Sequence, residues 1–269
     1  MSYNLIEISK HDSHVFELYK ITRNGFTWYY TSADEDYVYE GNTYISTPIT
    51  SPDREQSLEQ ERNQITIRMP ADLDFVRDYI GSPPTVVTTV VILNGHIGDS
   101  EILPVMTARL VNVNFTDQEA ELRVESLATS LKRPCLRFNY QRNCPHDHYE
   151  RGCNLNKEDY AALSAVTVTT STILSSAVAA TKPDGYYTGG VASWDNSGIV
   201  TNRFILDHTG SALLIELPFT GLPNGTVLTL YPGCDRTLTT CHEKFANEDN
   251  YGGQPFYPDK NPFTGDIIY

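Results

Sequence analysis

The chain has 269 residues, of which 40% are hydrophobic and 20% charged, an ordinary balance for a globular protein with room for two modest cores. Its formal charge of -14 argues against nucleic-acid binding, which needs clustered Lys and Arg. No apolar run approaches the ~20 residues of a membrane helix, and MSYNLIEISKHDS lacks a secretory signal's basic start and apolar stretch, so synthesis in a cytoplasm is expected.

Tyrosine is abundant, 17 against 10 Phe and 2 Trp, and with frequent Thr and Val it favours strands. Residues 14–21 and 27–30 read as a strand pair bending at Gly25, and DEDYVYEGNTYIS as a second hairpin turning at Gly41-Asn42. Segment 62–69 alternates, with Ile65 and Ile67 on one face. ADLDFVRDYI predicts a short helix between Pro70 and Gly81, with Leu73, Phe75, Val76 and Ile80 as its buried face.

TVVTTVVIL is a β-branched strand, and MTARLVNVNF with EAELRVESL reads as a hairpin around TDQ whose imperfect alternation leaves its register open. The expected fold is mainly β in two domains. The first, residues 1–132, is a small antiparallel barrel or sandwich with one short helix; the second, 133–269, is a β-rich four-cysteine domain. In the second, the Thr-Val-Thr-Thr run favours strand over helix within NLNKEDYAALSAVTVTTSTILSSAVAAT. PDGYYTGGVASW reads as turn, strand and turn, GSALLIELP as a compact strand, and Asn224-Gly225 as a hairpin signal. The last 25 or so residues, rich in Gly, Pro and aromatics, are an irregular tail, with Tyr251, Phe256 and Tyr257 as docking residues for a neighbour.

Four cysteines form two pairs: Cys144 and Cys153 in a C-x8-C spacing, Cys234 and Cys241 in a C-x6-C spacing. Gly152 and Pro232-Gly233 supply turn chemistry beside them, so that each pair can face one point. An odd total of five cysteines and cytoplasmic synthesis disfavour disulfides. The pattern itself leaves three readings open. Four thiolates could meet at a zinc ion or an iron–sulfur cluster; the cysteines could be small buried hydrophobes; or one could be a nucleophile paired with a histidine. His146, His148 and His242 lie near them in sequence and suit either the last reading or a mixed Cys/His zinc site.

Other motifs carry less. Asp34, Glu35, Asp36 and Glu40 cluster without a calcium-loop pattern and read as solvated surface. Tyr186, Tyr187 and Trp194 suit packing better than a sugar platform. There is no phosphate loop, GxSxG or HExxH.

CPHDHYERGCNLNKEDY followed by GCDRTLTTCHEKFANEDNYGGQPFYPDKNPF resembles the C-terminal module of the tail-tip hub proteins of long-tailed phages and gene transfer agents. The shared features are Tyr149 and Gly152-Cys153, then Gly233-Cys234-Asp235-Arg236, Cys241, Lys244-Phe245, Asn247, Gly252-Gly253 and a late Pro-Phe, within residues 140–265. The first half matches more loosely through Tyr39, Gly41 and Tyr44.

The resemblance implies a structural [4Fe-4S] cluster, with zinc as the alternative, held by Cys144, Cys153, Cys234 and Cys241; Cys135 has no counterpart and reads as a buried thiol. It also implies a non-enzymatic protein of the virion tail tip (baseplate), assembled in the host cytoplasm into a ring, trimeric by analogy, around the DNA channel. Its partners would be its own copies, the distal tail protein, the tip or central-fibre hub and the tape measure protein, with no specific nucleic-acid binding and no membrane insertion. The rival classes are a tail-associated peptidoglycan hydrolase, which needs a carboxylate pair or zinc-water site in a cleft, and a receptor- or carbohydrate-binding module with a structural zinc, which needs an exposed aromatic groove.

Overall fold

A computed structural model describes residues 14–52, 64–132, 138–196 and 198–256. Cys135, Tyr257 and the end of the tail lie outside the described residues. The chain divides into two compact units, residues 1–133 and 134–269, and both are β-rich, as the composition predicts. No described helix is long and apolar enough to cross a membrane.

The first unit is an eight-stranded sheet. Its strands are β1 (Val15–Arg23), β2 (Phe26–Thr31), β3 (Tyr37–Tyr39), β4 (Asn42–Ser46), β5 (Gln64–Pro70), β6 (Thr89–His96), β7 (Leu103–Thr116) and β8 (Glu119–Ser126), in the order β3-β4-β2-β1-β6-β7-β8-β5. Neighbours pair antiparallel except β2 with β4. After β4 the chain crosses to the far edge, where Thr50 pairs with Arg68 of β5.

The first hairpin turns on Asn24 and Gly25, both at positive φ, the twist that suits a two-residue turn. The second turns one residue earlier than the sequence suggests, on Glu40-Gly41, because Asn42 already pairs with Tyr39. A bulge between Leu110 and Asn112 breaks the β7–β8 register and accounts for the imperfect alternation there. One face of the sheet buries Tyr19, Ile21, Ile65, Ile67, Met69, Val90, Ile92, Leu122 and Val124 under the short helix α1 (Asp74–Arg77). That helix is shorter than the expected segment. Phe75 and Val76 fill the core as expected, but Ile80 is exposed, because Tyr79 turns to bond Thr88 and Gly81 follows at positive φ. The acidic residues Asp34, Glu35, Asp36 and Glu40 are exposed, with Asp36 accepting the Ser46 N–H.

The second unit carries a closed six-stranded barrel of β9 (Ala162–Thr170), β10 (Ile173–Ser176), β11 (Val191–Asn196), β12 (Ile199–Thr209), β13 (Ala212–Ile215) and β14 (Val227–Tyr231). Closure leaves no edge strand unpaired. The Thr-Val-Thr-Thr run is indeed strand, and alternation along β9 sends Val166, just before the run, inward. Leu174, Ala192, Ile205, Leu213, Ile215, Leu228 and Leu230 complete the core. Tyr187 and Trp194 also lie in it, 1% and 9% exposed, so neither serves a sugar platform. The Gly-rich stretch 184–190 is all turn, and its strand begins only at Val191.

Candidate metal centre

Two irregular segments of the second unit bring the four cysteines together. In 141–154 the backbone doubles back through positive φ at Tyr149, Gly152 and Asn154, which frame Cys153. In the other, β14 ends at Tyr231, and Pro232-Gly233 leads to Cys234. Asp235 accepts from the Thr237 N–H at 2.9 Å and from its hydroxyl at 2.8 Å, which starts the helix α2 (Leu238–Phe245). Thr237 caps that helix by accepting from the Thr240 N–H. Burial alone would raise the Asp235 pKa, but the bonds from Thr237 outweigh it and hold the carboxylate below its ordinary range. Cys241 lies one turn into α2. The helix ends at Ala246 in the left-handed region, and the next residue, Asn247, donates its N–H to Cys241 O at 3.0 Å.

Cross-links knit the two segments. Cys144 N–H donates to Arg236 O at 2.9 Å, the Asn247 side chain donates to Cys153 O at 2.7 Å, and Tyr251 OH donates to Arg142 O at 2.6 Å. Cys144, Cys153, Cys234 and Cys241 consequently line one small cavity, together with His146, His148, Arg236, Thr237, Asn247 and Asn250. All four are free thiols. Among the described residues, no three His, Cys, Asp or Glu side chains are drawn in to the spacing of one metal ion.

The electrostatics reflect this gathering. Burial, then Cys234, Cys144 and Cys153, push the Cys241 thiol up to about 11. Burial raises Cys234 too, against the Arg236 N–H that donates to its Sγ at 3.3 Å, and Asp235, Cys153 and Cys144 add to the rise.

Histidines divide between inside and outside. The His146 ring fits a slot between two glycines: a Cβ on Gly152 would stand 2.4 Å from its Nδ1, and one on Gly252 2.4 Å from its Nε2. His148 places Nδ1 3.9 Å from Cys153 Sγ, with its ring 3.7 Å from that of Tyr149 and 4.7 Å from that of Phe245. Burial lowers its pKa to about 4, the Pro232 carbonyl works against that fall, and Lys244 adds to it. His242 does not line the cavity; it pairs with Glu248 at 3.0 Å on the surface.

Lys244 ties the site to the barrel. Its Nζ donates to Gly233 O at 2.6 Å and to Tyr186 O, with the Tyr186 ring 4.3 Å away. Burial brings its pKa down to about 8 against the pull of Cys234 and Asp235. Arg236 stands in the shared Gly233-Cys234-Asp235-Arg236 stretch, which gives it no cavity role, and Asn250 has no motif to mark it; Thr237, preceding a helical run, carries a cap signal.

Residues 7–156 match the family described as baseplate hub protein, N-terminal attachment domain. The chain belongs to this family. It is accordingly a structural hub protein of a phage tail, located in the virion, and the resemblance drawn from the cysteine motifs points to the same family. Residues 185–261 of the hub chain match a second family, described as phage conserved hypothetical protein BR0599. The first match contains Cys144 and Cys153, the second Cys234 and Cys241.

An uncharacterized protein of Xylella fastidiosa (strain 9a5c) is 28% identical over 171 residues, which are 58% of the hub chain and 36% of that relative. The match spans about a third of the relative's length. Among solved structures, a chain of the virion of a native gene transfer agent (GTA) particle superposes with a TM-score of 0.76 at 17% identity, covering 99% of the hub chain and 96% of the other. At that identity it is the fold that the two share.

Proposed function

We propose that the hub chain is a ring-forming connector of the tail tip, joining the distal tail to the tip proteins around the path of the DNA, with an iron–sulfur cluster as an internal staple. The observation that carries the staple is the convergence of four free thiols on one cavity, from segments about 80 residues apart. The donor set fits the group: Cys144, Cys153, Cys234 and Cys241 would hold it, and the Arg236 N–H and the Asn247 and His148 side chains already lie against their sulfurs. A [4Fe-4S] cluster would supply covalent cross-links between the two segments. Zinc is the alternative occupant, since four thiolates serve it equally well.

In this reading residues 1–132 form the β-rich hub domain and 133–269 the cluster domain, and the chain has no catalytic task. Its partners are its own copies, in a trimeric ring, with the distal tail protein, the tip or central-fibre hub and the tape measure protein. A formal charge of -14 suits the wall of a channel through which DNA must slide without sticking. Purification without oxygen, with an absorption spectrum and iron and sulfide analysis, tests the cluster: near-equal iron and sulfide at about four per chain is expected. A colourless, iron-free protein overturns it and leaves the family membership intact. Mass measurement of tail assemblies tests the ring, and a basic lumen in the assembled ring would overturn the channel reading.

A further inference from the structure

We infer that β7, from Asn112 to Thr116, is a docking edge that takes up an extended segment of another tail protein as an added strand. The inference rests on the hub reading above and goes further by giving the place and chemistry of one attachment. β6 pairs with β7 only as far as Thr89 and Arg109, followed by a bond from Leu110 N–H to Thr88 O at 2.8 Å. Pro83-Pro84 lies just upstream, and prolines have no N–H with which to continue the ladder. The segment before β6 stands off from β7, leaving a cleft of about 520 Å³ with Tyr79, Pro83, Val86 and Val87 opposite Leu110 and Val113.

The β7–β8 hairpin sets which groups face that side. Thr116 and Glu119 flank a two-residue turn and form a hydrogen-bonded pair, which Asn114 with Glu121 and Asn112 with Arg123 repeat at a period of two. Val113 and Phe115 therefore aim their N–H and C=O away from β8, and those groups meet no backbone partner among the described residues. Side chains alternate on the same plan. Val113 and Phe115 stand on the core face, paired with Leu122 and Ala120, while Asn112 Nδ2 donates to Asn114 Oδ1 at 2.9 Å on the outer face.

The segment that fits alternates too, with apolar residues beside Val113 and Phe115, the latter 41% exposed, and polar ones beside the asparagines. Asp117 and Glu119 are exposed at the turn, so a Lys or Arg at that end of the segment is matched in charge. Residues 111–116, VNVNFT, carry no charge and no proline, the devices that ordinarily keep an edge from pairing. A second copy does not supply the segment from its described strands. β3 has three residues, β5 already exchanges bonds with Thr50 through Arg68 at 2.9 Å, and the barrel is closed. Strand addition from a different protein is the remaining fit.

The test follows amide hydrogen exchange residue by residue in the unaltered full chain, free and within purified tails. Val113 and Phe115 amides should exchange fast in the free chain and about tenfold or more slowly in tails, with Asn112 and Asn114 slow in both. Val113 and Phe115 amides already slow in the free chain, or still fast in tails, overturn the inference and leave the hub reading standing. Phe115→Lys, at an exposed position, should keep the urea midpoint and lose incorporation into tails, while Phe115→Leu keeps both; full incorporation of a folded Phe115→Lys chain overturns it. Photo-crosslinking from p-benzoylphenylalanine at position 115 in tails should reach an alternating segment of a different protein. A crosslink to another copy of this chain alone overturns the assigned partner. Absence of the unaltered chain from purified tails overturns inference and hub reading together.

Discussion

Gly190 and Gly233 cross with their backbones in contact. A Cβ on Gly233 would fall 2.4 Å from Gly190 N and 1.9 Å from Thr188 O, and one on Gly190 would fall 2.2 Å from Tyr231 O. The crossing joins the turn before β11 to the exit of β14, and the residue after Gly233 is Cys234. The barrel thus sets the position of a thiol through two residues that have no side chain.

Gly233→Ala should act on both stability and the site. Overpacking against fixed carbonyls costs about 1–3 kcal/mol. Urea unfolding should show that loss, and displacement of Cys234 should lower iron uptake. Unchanged stability and unchanged uptake would show that the crossing is not tight in solution.

Lys244→Met removes a half-buried ammonium that bonds Gly233 O and Tyr186 O. Leaving Gly233 O unpaired, and Tyr186 O with only the Gly233 N–H at 3.4 Å, should destabilise the second unit by about 1–3 kcal/mol in denaturant unfolding. Lys244→Arg should not restore it, because a planar guanidinium does not fit a point held between two carbonyls and an aromatic ring.

Linking Cys153 to Cys234 through a bound group closes a loop of about 80 residues, which by analogy with a disulfide stabilises by about 4 kcal/mol. Cys153→Ser, or chelation of the loaded chain, should lower stability by that order. Equal stability with and without the bound group would remove its role as a staple.

In the first unit, burial pushes the phenols of Tyr30 and Tyr44 up to about 12 from 10.0, with Asp74 adding to the first and Tyr29, Glu40 and Tyr39 to the second. The folded state holds these protons where the unfolded chain has released them. Their contribution to stability is complete below pH 10 and is lost as pH rises towards 12. Alkaline unfolding followed by tyrosine absorbance should show this window. Tyr30→Phe should shrink the loss, and a transition independent of that substitution would refute the assignment.

Much of this architecture was written in local patterns. Alternation at Ile65 and Ile67, β-branched runs such as Thr-Val-Thr-Thr, and the Asn24-Gly25 turn each respond to forces acting within a few residues, so strands and hairpins followed from them. Ile80 looks apolar in any local window, so the helix end is not legible there. Its exposure goes with Tyr79 finding Thr88, just before the following strand.

By itself the sequence determined the β class, the chemistry of four cysteines in two turn-flanked pairs, and, through motif likeness, the baseplate hub family. Only the tertiary structure decided that both pairs share one cavity, that His146 and His148 line it while His242 pairs with Glu248 at the surface, and that the barrel closes. Periodicity reports what one residue shares with its near neighbours. The meeting of Cys153 with Cys234 depends instead on the path of the whole intervening barrel and on the glycine crossing that ends it.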